Sequence, residues 1–189
     1  KVVELLLEKK AAPRAVSKSN DENPLHVSTL AEVTEAIIRA NGNPNTQDAW
    51  GMSPLHHAAR SGDVEIVKVL LQYGASVDLR DGIRRTPLLM ATFGGHKEVV
   101  EELASNGADI TAKDRGGRTA MELADSMNHK EVKESLKVMA DLLGTMGGAG
   151  TSLRELPAGS PFRLQRGQNS HPTQRPPSSG GFRKNPAPP

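Results

Sequence analysis

The sequence predicts an all-α solenoid of stacked helix-turn-helix units with β-hairpin loops between them, followed by a disordered C-terminal tail. Two observations carry this prediction. A pattern of residues returns every 33 positions, beginning at Asp48, Asp81 and Asp114. Within each copy, apolar residues follow the spacing of short amphipathic helices. A repeat of this length is one small unit that buries its apolar face only against its neighbours.

A short motif opens the first helix of each copy. Residues 53–55 read Ser-Pro-Leu, residues 86–88 read Thr-Pro-Leu and residues 119–121 read Thr-Ala-Met. Serine and threonine are preferred N-cap residues, and proline is tolerated at the first helical position because its missing N–H would be unpaired there. We therefore expect a helix to begin directly after each serine or threonine.

A second helix follows within each copy. Its apolar face in the first full copy is formed by Val64, Val67, Leu70 and Leu71. Gly74 and Gly107 come directly after this helix in successive copies, where the chain requires a positive φ.

The whole pattern resembles the ankyrin repeat family. The copy that begins at Asp48 carries Ser-Pro-Leu-His, ending at His56. The next copy has Leu89 in place of this histidine, and the third has Glu122. Upstream, residues 23–26 read Asn-Pro-Leu-His and open a shortened copy, in which proline and glycine stand 18 rather than 20 positions apart.

The resemblance implies an ankyrin repeat domain over residues 1–143. Its expected parts are a half repeat 1–13, a short repeat 14–45 and full repeats 46–78, 79–111 and 112–143. Residues 144–189 hold 8 of the 13 prolines and six Arg or Lys against one Glu. Such a segment buries too little apolar surface to offset its ordering entropy, so we expect a disordered Pro/Gly/Arg-rich tail.

Several classes of function are disfavoured by composition. The chain has no cysteine, so it has neither disulfides nor thiolate metal sites. It has no apolar run of about 18 residues, so no membrane segment is expected in this fragment. The pattern is already under way at Lys1, which favours a piece of a longer protein. A cytoplasmic or nuclear location is the default expectation.

The polar residues do not suggest an active site. The resemblance implies that His26 and His56, which share one slot of the repeat, hydrogen-bond to neighbouring loops rather than bind a metal. The three opening aspartates are expected to accept N–H groups of their own turns. No nucleophile, base and orienting group stand at a plausible spacing. We therefore expect no enzyme activity, no catalytic residue, no cofactor and no metal.

The resemblance also implies a binding face, formed by the hairpin tips and the exposed positions of the first helices. The residues that we predict to contact a partner are Trp50, Met52, Arg60, Ile83, Arg85, Phe93 and Arg118. Aromatic and arginine side chains are common interface hot spots. An apolar patch edged by cations should prefer a partner protein, folded domain or peptide, that presents an apolar residue beside carboxylates or a phosphate.

Alternatives remain for individual residues. Trp50 can fold back onto its own hairpin, and Phe93 can pack between helices, which would leave no apolar patch. Arg84 stands where Gly51 and Gly117 permit a positive φ, and this indicates a locally distorted loop.

Two functional classes fit the chain. The first is a protein-recognition module, such as an adaptor, scaffold or targeting segment. The second is a nucleic-acid-associated protein that uses its basic tail, although nucleic acid is not the partner we expect. A regulatory segment of a larger enzyme or channel is a third possibility. The tail residues Arg183–Pro189 match the Arg-x-x-Pro-x-x-Pro pattern that SH3-type domains bind, but such matches arise by chance in proline-rich tails and a solvated tail is the favoured interpretation.

Overall fold

The computed structural model describes residues 16–145. The half repeat 1–13 and residues 146–189, with nearly all of the predicted tail and its SH3-type motif, lie outside the described residues. Between residues 16 and 145 the chain forms seven α-helices and no β-strand. The helices are α1 (Ala31–Arg39), α2 (Pro54–Ser61), α3 (Val64–Gln72), α4 (Pro87–Gly94), α5 (Lys97–Ser105), α6 (Ala120–Ser126) and α7 (Lys130–Thr145).

These helices pack in two rows. The front row contains α2, α4 and α6, and the back row contains α1, α3, α5 and α7, with each helix against the next in its row. Each front helix also packs on the back helix that follows it. The prediction of an all-α solenoid of stacked helix pairs is thereby confirmed.

Apolar side chains from both rows fill the space between them. Among residues 16–145, the leucines with no exposed surface are Leu55, Leu70, Leu88 and Leu103. Val67 and Leu70 are buried, whereas Val64 and Leu71 are half-buried against the core, so the predicted apolar face of α3 is the face that packs. Burying one such leucine contributes about 1.5–3 kcal/mol.

The front helices begin where the sequence predicts. Pro54 and Pro87 are the first helical residues of α2 and α4. Thr119 and Glu122 form a capping box at α6, in which the Thr119 N–H donates to the Glu122 carboxylate at 2.8 Å. α2 ends at Ser61, and the following residue, Gly62, lies in the left-handed region with φ of 83°.

The short repeat departs from the expected helix pair. Residues 24–27 form a turn rather than a front helix. The reason is length, because α1 begins seven residues after Pro24, whereas α3 begins ten residues after Pro54. Leu25 is nevertheless buried, so the segment still covers the end of the core.

The loops between repeats are tight turns, and the expected β-hairpins carry no strand within residues 16–145. In the first turn, the Asp48 N–H donates to the Met52 carbonyl and the Gly51 N–H donates to the Asp48 carbonyl, both at 2.9 Å. Consecutive turns share a single backbone hydrogen bond, such as that from Gly82 N–H to the Trp50 carbonyl. One bond per pair is too few to form a β-ladder.

Candidate functional site

Each turn is held by the carboxylate that opens it. Oδ1 of Asp48 accepts the backbone N–H groups of Trp50 at 2.9 Å and Met52 at 2.8 Å. Asp81 makes the same two bonds in its own turn, and Asp114 makes the second of them. The predicted role of these aspartates as local acceptors is confirmed.

The other carboxylate oxygen is paired in two different ways. In the second turn, Arg85 folds back so that Nε and Nη2 lie 2.8 and 2.7 Å from Oδ2 of Asp81. Arg118 does the same to Asp114, at 3.1 and 2.8 Å. Both arginines lie on the turns as predicted, but each already forms an ion pair with the aspartate of its own turn.

In the first turn the equivalent position is Met52, which has no charge to offer. His57 takes over this role, with Nε2 2.8 Å from Oδ2 of Asp48. The Met52 side chain turns inward and is only 6% exposed. The expectation that Met52 lies on the binding face is therefore wrong, because an apolar side chain gains more by joining the core than by covering a carboxylate.

Trp50 and Ile83 are exposed at neighbouring tips. Trp50 has 56% of its surface accessible and Ile83 has 44%. The hydrogen bond of 2.9 Å between Gly82 N–H and the Trp50 carbonyl places the two turns side by side. Trp50 does not fold back into its hairpin, and the two side chains form the apolar part of the predicted face.

The ends of the front helices add two further predicted residues. Phe93 is 48% exposed rather than packed between helices, and Arg60 is exposed at the equivalent position of α2. The carbonyl of Arg60 accepts Nε2–H of His96 at 2.9 Å, and the carbonyl of Phe93 accepts Nε2–H of His129 at 3.1 Å. These histidines fix the backbone beneath both side chains.

Arg84 does not distort its loop. It adopts a φ of 65°, close to 76° at Gly51 and 79° at Gly117. Its N–H donates to the Asp81 carbonyl at 2.9 Å, as Gly51 N–H does to Asp48. The expectation of a distorted loop is wrong, because the arginine accepts the left-handed conformation at a cost of about 1–2 kcal/mol.

Two buried histidines each tie their own repeat to the turn that follows it. His56 accepts the Ser53 N–H on Nδ1 at 3.1 Å and donates Nε2–H to the Arg85 carbonyl at 3.0 Å. His26 donates its Nε2–H to the Thr46 and Met52 carbonyls, both at 3.1 Å. The hydrogen bonds to neighbouring loops that the resemblance implied are therefore present.

Burial sets the charge state of these groups. It lowers the pKa of His56 and of His26, so both rings are neutral at pH 7. Burial alone would raise the pKa of Asp48, but hydrogen bonds from His57 and the turn N–H groups outweigh it and lower that pKa. Burial would likewise raise the pKa of Asp114, but the hydrogen bonds from Arg118 outweigh it and lower that pKa.

One group of potential metal ligands occurs within residues 16–145. Ligand atoms of Glu22, Asp48 and His57 lie within 4.8 Å of one another. The hydrogen bond between His57 and Asp48 accounts for two of the three groups without a metal ion. Beside them, next to α2, lies a shallow cavity of about 190 Å³. It is smaller than the roughly 300–1,000 Å³ of typical ligand pockets.

The repeat pattern and the stacked helix pairs agree with a comparison of the sequence with known families. A family model described as "Ankyrin repeats (3 copies)" matches residues 1–81 and, in an overlapping match, residues 29–114. Together these matches cover more than half of the 189 residues. The chain belongs to the ankyrin repeat family.

Curated relatives agree over shorter stretches. Human Rabankyrin-5 is 31% identical over 81 residues, which cover 35% of this chain and 7% of that protein. The chicken nuclear factor NF-kappa-B p105 subunit is 38% identical over 63 residues, which cover 31% of this chain and 6% of that protein. The chain therefore spans less than a tenth of the length of these two ankyrin repeat relatives.

Ankyrin repeats generally mediate protein–protein interactions, and the family is typically non-catalytic. No helix within residues 16–145 combines the length and the apolar character needed to cross a bilayer.

Proposed function

We propose that this ankyrin repeat domain is a recognition module that binds a partner protein, as an adaptor, scaffold or targeting segment. The surface that we assign to binding, the tip face, comprises the turn tips and the exposed ends of the front helices. Its members are Trp50, Arg60, Ile83, Arg85, Phe93 and Arg118. The observation that carries the proposal is the pair of exposed apolar side chains, Trp50 and Ile83, on adjacent turns.

The exposed Trp50 side chain does not hold the turn that carries it. The backbone of its turn is held by the Asp48 carboxylate, and its indole is more than half open to solvent. The indole therefore does not close its own turn, and burying it against a partner would remove a large apolar area from water. Tryptophan and arginine are the residue types that most often dominate interface energetics.

The tip face is also rigid. Each turn is closed by its aspartate, and the histidines at 96 and 129 clamp the ends of α2 and α4. Association of a preorganised surface loses less conformational entropy than association of a flexible one. Rigid tips that hold exposed apolar groups suit recognition of a protein.

The test uses the full chain as bait with two single variants. Trp50→Ala removes the largest side chain of the tip face. Val138→Ala is the matched control, because Val138 is also exposed but lies on the back helix α7. We expect Trp50→Ala to weaken partner binding by about 1–3 kcal/mol with little change in folding stability.

Binding is measured by titrating the captured partner against wild type and both variants. Equal loss with Val138→Ala, or unchanged binding with Trp50→Ala, would contradict the assigned surface. Capture that disappears on nuclease treatment would favour the nucleic-acid role instead.

A further inference from the structure

We propose that the second and third turns form a cationic ledge that selects an acidic peptide segment carrying one apolar side chain. The ledge consists of residues 79–85 and 112–118. This inference rests on the proposed function and narrows it to the chemistry of the partner.

The ledge concentrates positive charge. It carries six cationic side chains against two aspartates, which gives a net charge of +4, whereas the whole chain is only +2. The cations are Arg80, Arg84, Arg85, Lys113, Arg115 and Arg118. The first turn, residues 46–52, contains one aspartate and no cation. The character of the tips therefore changes along the row, from apolar at the first turn to cationic at the third.

Most of this charge is not neutralised within the domain. Both aspartates are buried, and each is paired with the arginine of its own turn. The other four cations, Arg80, Arg84, Lys113 and Arg115, are exposed and form no ion pair within 4 Å among residues 16–145.

Two acids influence the ledge from its margin. Asp78 faces Arg80, and its carboxylate accepts the Asp109 N–H at 3.0 Å. Glu122 faces Lys113, but its carboxylate is occupied by the capping box of α6. Neither acid lies within ion-pair distance of a cation on the ledge. The charges of the four unpaired cations, including Arg84 and Arg115, are therefore available to a ligand.

The two segments of the ledge form one strip. The Arg115 N–H donates to the Ile83 carbonyl at 2.9 Å, and Nη1 of Arg80 donates to the Lys113 carbonyl at 3.0 Å. The turn of Ile83 therefore lies between Trp50 and the cations of the third turn, and a single ligand can contact the apolar and the cationic parts together.

The dimensions fit a short extended peptide. Neighbouring helices pack about 8–10 Å apart, and an extended chain advances about 3.3 Å per residue, so each repeat corresponds to about three residues of ligand. An apolar side chain on Trp50 and Ile83 would thus stand about three to six residues from carboxylates on the ledge. A nucleic-acid duplex presents a uniformly charged backbone, with its bases stacked inside, and would leave the apolar half of the strip unused.

The experiment is a selection from a displayed library of random peptides of about twelve residues, with the full chain as the target. We expect the enriched peptides to carry several Asp or Glu on one side of an apolar residue. Binding of the enriched peptides is then compared between wild type, the double variant Arg84→Gln with Arg115→Gln, and a charge-matched control, Lys130→Gln with Lys137→Gln. The control lysines lie exposed on α7.

The double variant at the ledge should bind about tenfold more weakly, and its binding should depend less on salt, because rim charges contribute through screened attraction. The control should bind like wild type. Circular dichroism of each variant shows that the helices are retained.

Two results would overturn the acidic-peptide inference while leaving the proposed function intact. One is enrichment of uncharged peptides that bind the ledge variant normally but lose binding with Trp50→Ala. The other is no enrichment at all, with Trp50-dependent capture of a folded protein. If Trp50→Ala binds both peptides and protein as wild type does, the proposed function itself is contradicted.

Discussion

At the scale of single residues, one position in each turn decides which group pairs with the carboxylate of the opening aspartate. The residue four places after each aspartate is Arg85 in the second turn and Arg118 in the third, and both cover the second carboxylate oxygen. Met52 at this place cannot do so, and His57 reaches across from α2 instead. The sequence shows the exchange of arginine for methionine, but it does not show that a histidine five residues later compensates for it.

This compensation can be tested with a double-mutant cycle. His57→Ala leaves a buried carboxylate oxygen of Asp48 without its donor, and we expect a loss of about 1–3 kcal/mol in the free energy of unfolding. Met52→Arg supplies a guanidinium as in the other turns, so it should cost less in the His57→Ala background than in wild type. Urea denaturation of the four proteins measures both terms. Additive effects would show that the two side chains do not serve the same carboxylate.

The left-handed arginine offers a second test. Arg84→Gly should raise the free energy of unfolding by about 0.5–1 kcal/mol, because relief of the positive-φ strain exceeds the added entropy of the unfolded glycine. Arg115→Gly is the control, since Arg115 lies on the next turn without a positive φ. Chemical denaturation should show no gain for the control. A loss of stability with Arg84→Gly would mean that the arginine side chain contributes contacts of its own.

At the scale of elements, the sequence predicted the helices and their caps better than the loops. The Ser/Thr-Pro motif marks the starts of α2 and α4 because N-cap chemistry is local. The same motif was misleading in the short repeat, where no front helix forms. Residues 23–26 keep the motif of a helix start, but the shortened spacing to α1 leaves room only for a turn. The inward orientation of Met52 was also not predictable, because it depends on a neighbour from another element.

The contact between one helix and the next turn depends on a neutral histidine. Burial lowers the pKa of His56, so the unfolded chain takes up a proton at a higher pH than the folded chain does. Stability should therefore fall as the pH is lowered from about 7.5 to 5, through the ordinary range of histidine. The lowered pKa values of Asp48 and Asp114 add a further loss at still lower pH.

Thermal melts at several pH values measure this dependence. His56→Gln keeps polar groups at the site but cannot titrate, so the variant should be less stable at pH 7.5 and should lose less on acidification. Because His26 has the same direction of shift, part of the dependence should remain. An unchanged slope in His56→Gln would show that other groups cause it.

At the scale of the whole molecule, stability arises from contacts between neighbouring repeats. The buried core runs from Leu25 to Met139, and it is built by the two rows of helices. In such a stack each unit supports only the next, so removing an end unit uncovers one apolar face. The side chains of the proposed tip face, by contrast, are distributed over several repeats, and no single helix pair presents all of them.

Truncation distinguishes the parts of the chain that support the stack. Deleting residues 150–189 should leave the melting temperature unchanged, because the composition of this segment predicts that it does not fold. Deleting residues 130–189 also removes α7 and exposes the apolar faces of α5 and α6, and the melting temperature should drop sharply. Differential scanning calorimetry of the two proteins provides the comparison. A marked loss with the shorter deletion would show that the C-terminal segment packs on the repeats.

Two of the bonds that join one turn to the next run between main-chain atoms, from Gly82 N–H to the Trp50 carbonyl and from Arg115 N–H to the Ile83 carbonyl. These two bonds use no side-chain atom of Trp50 or Ile83. Either residue can therefore be replaced while the bonds that hold the turns together are kept. A different partner for the proposed tip face thus requires new side chains at the tips and no change of fold.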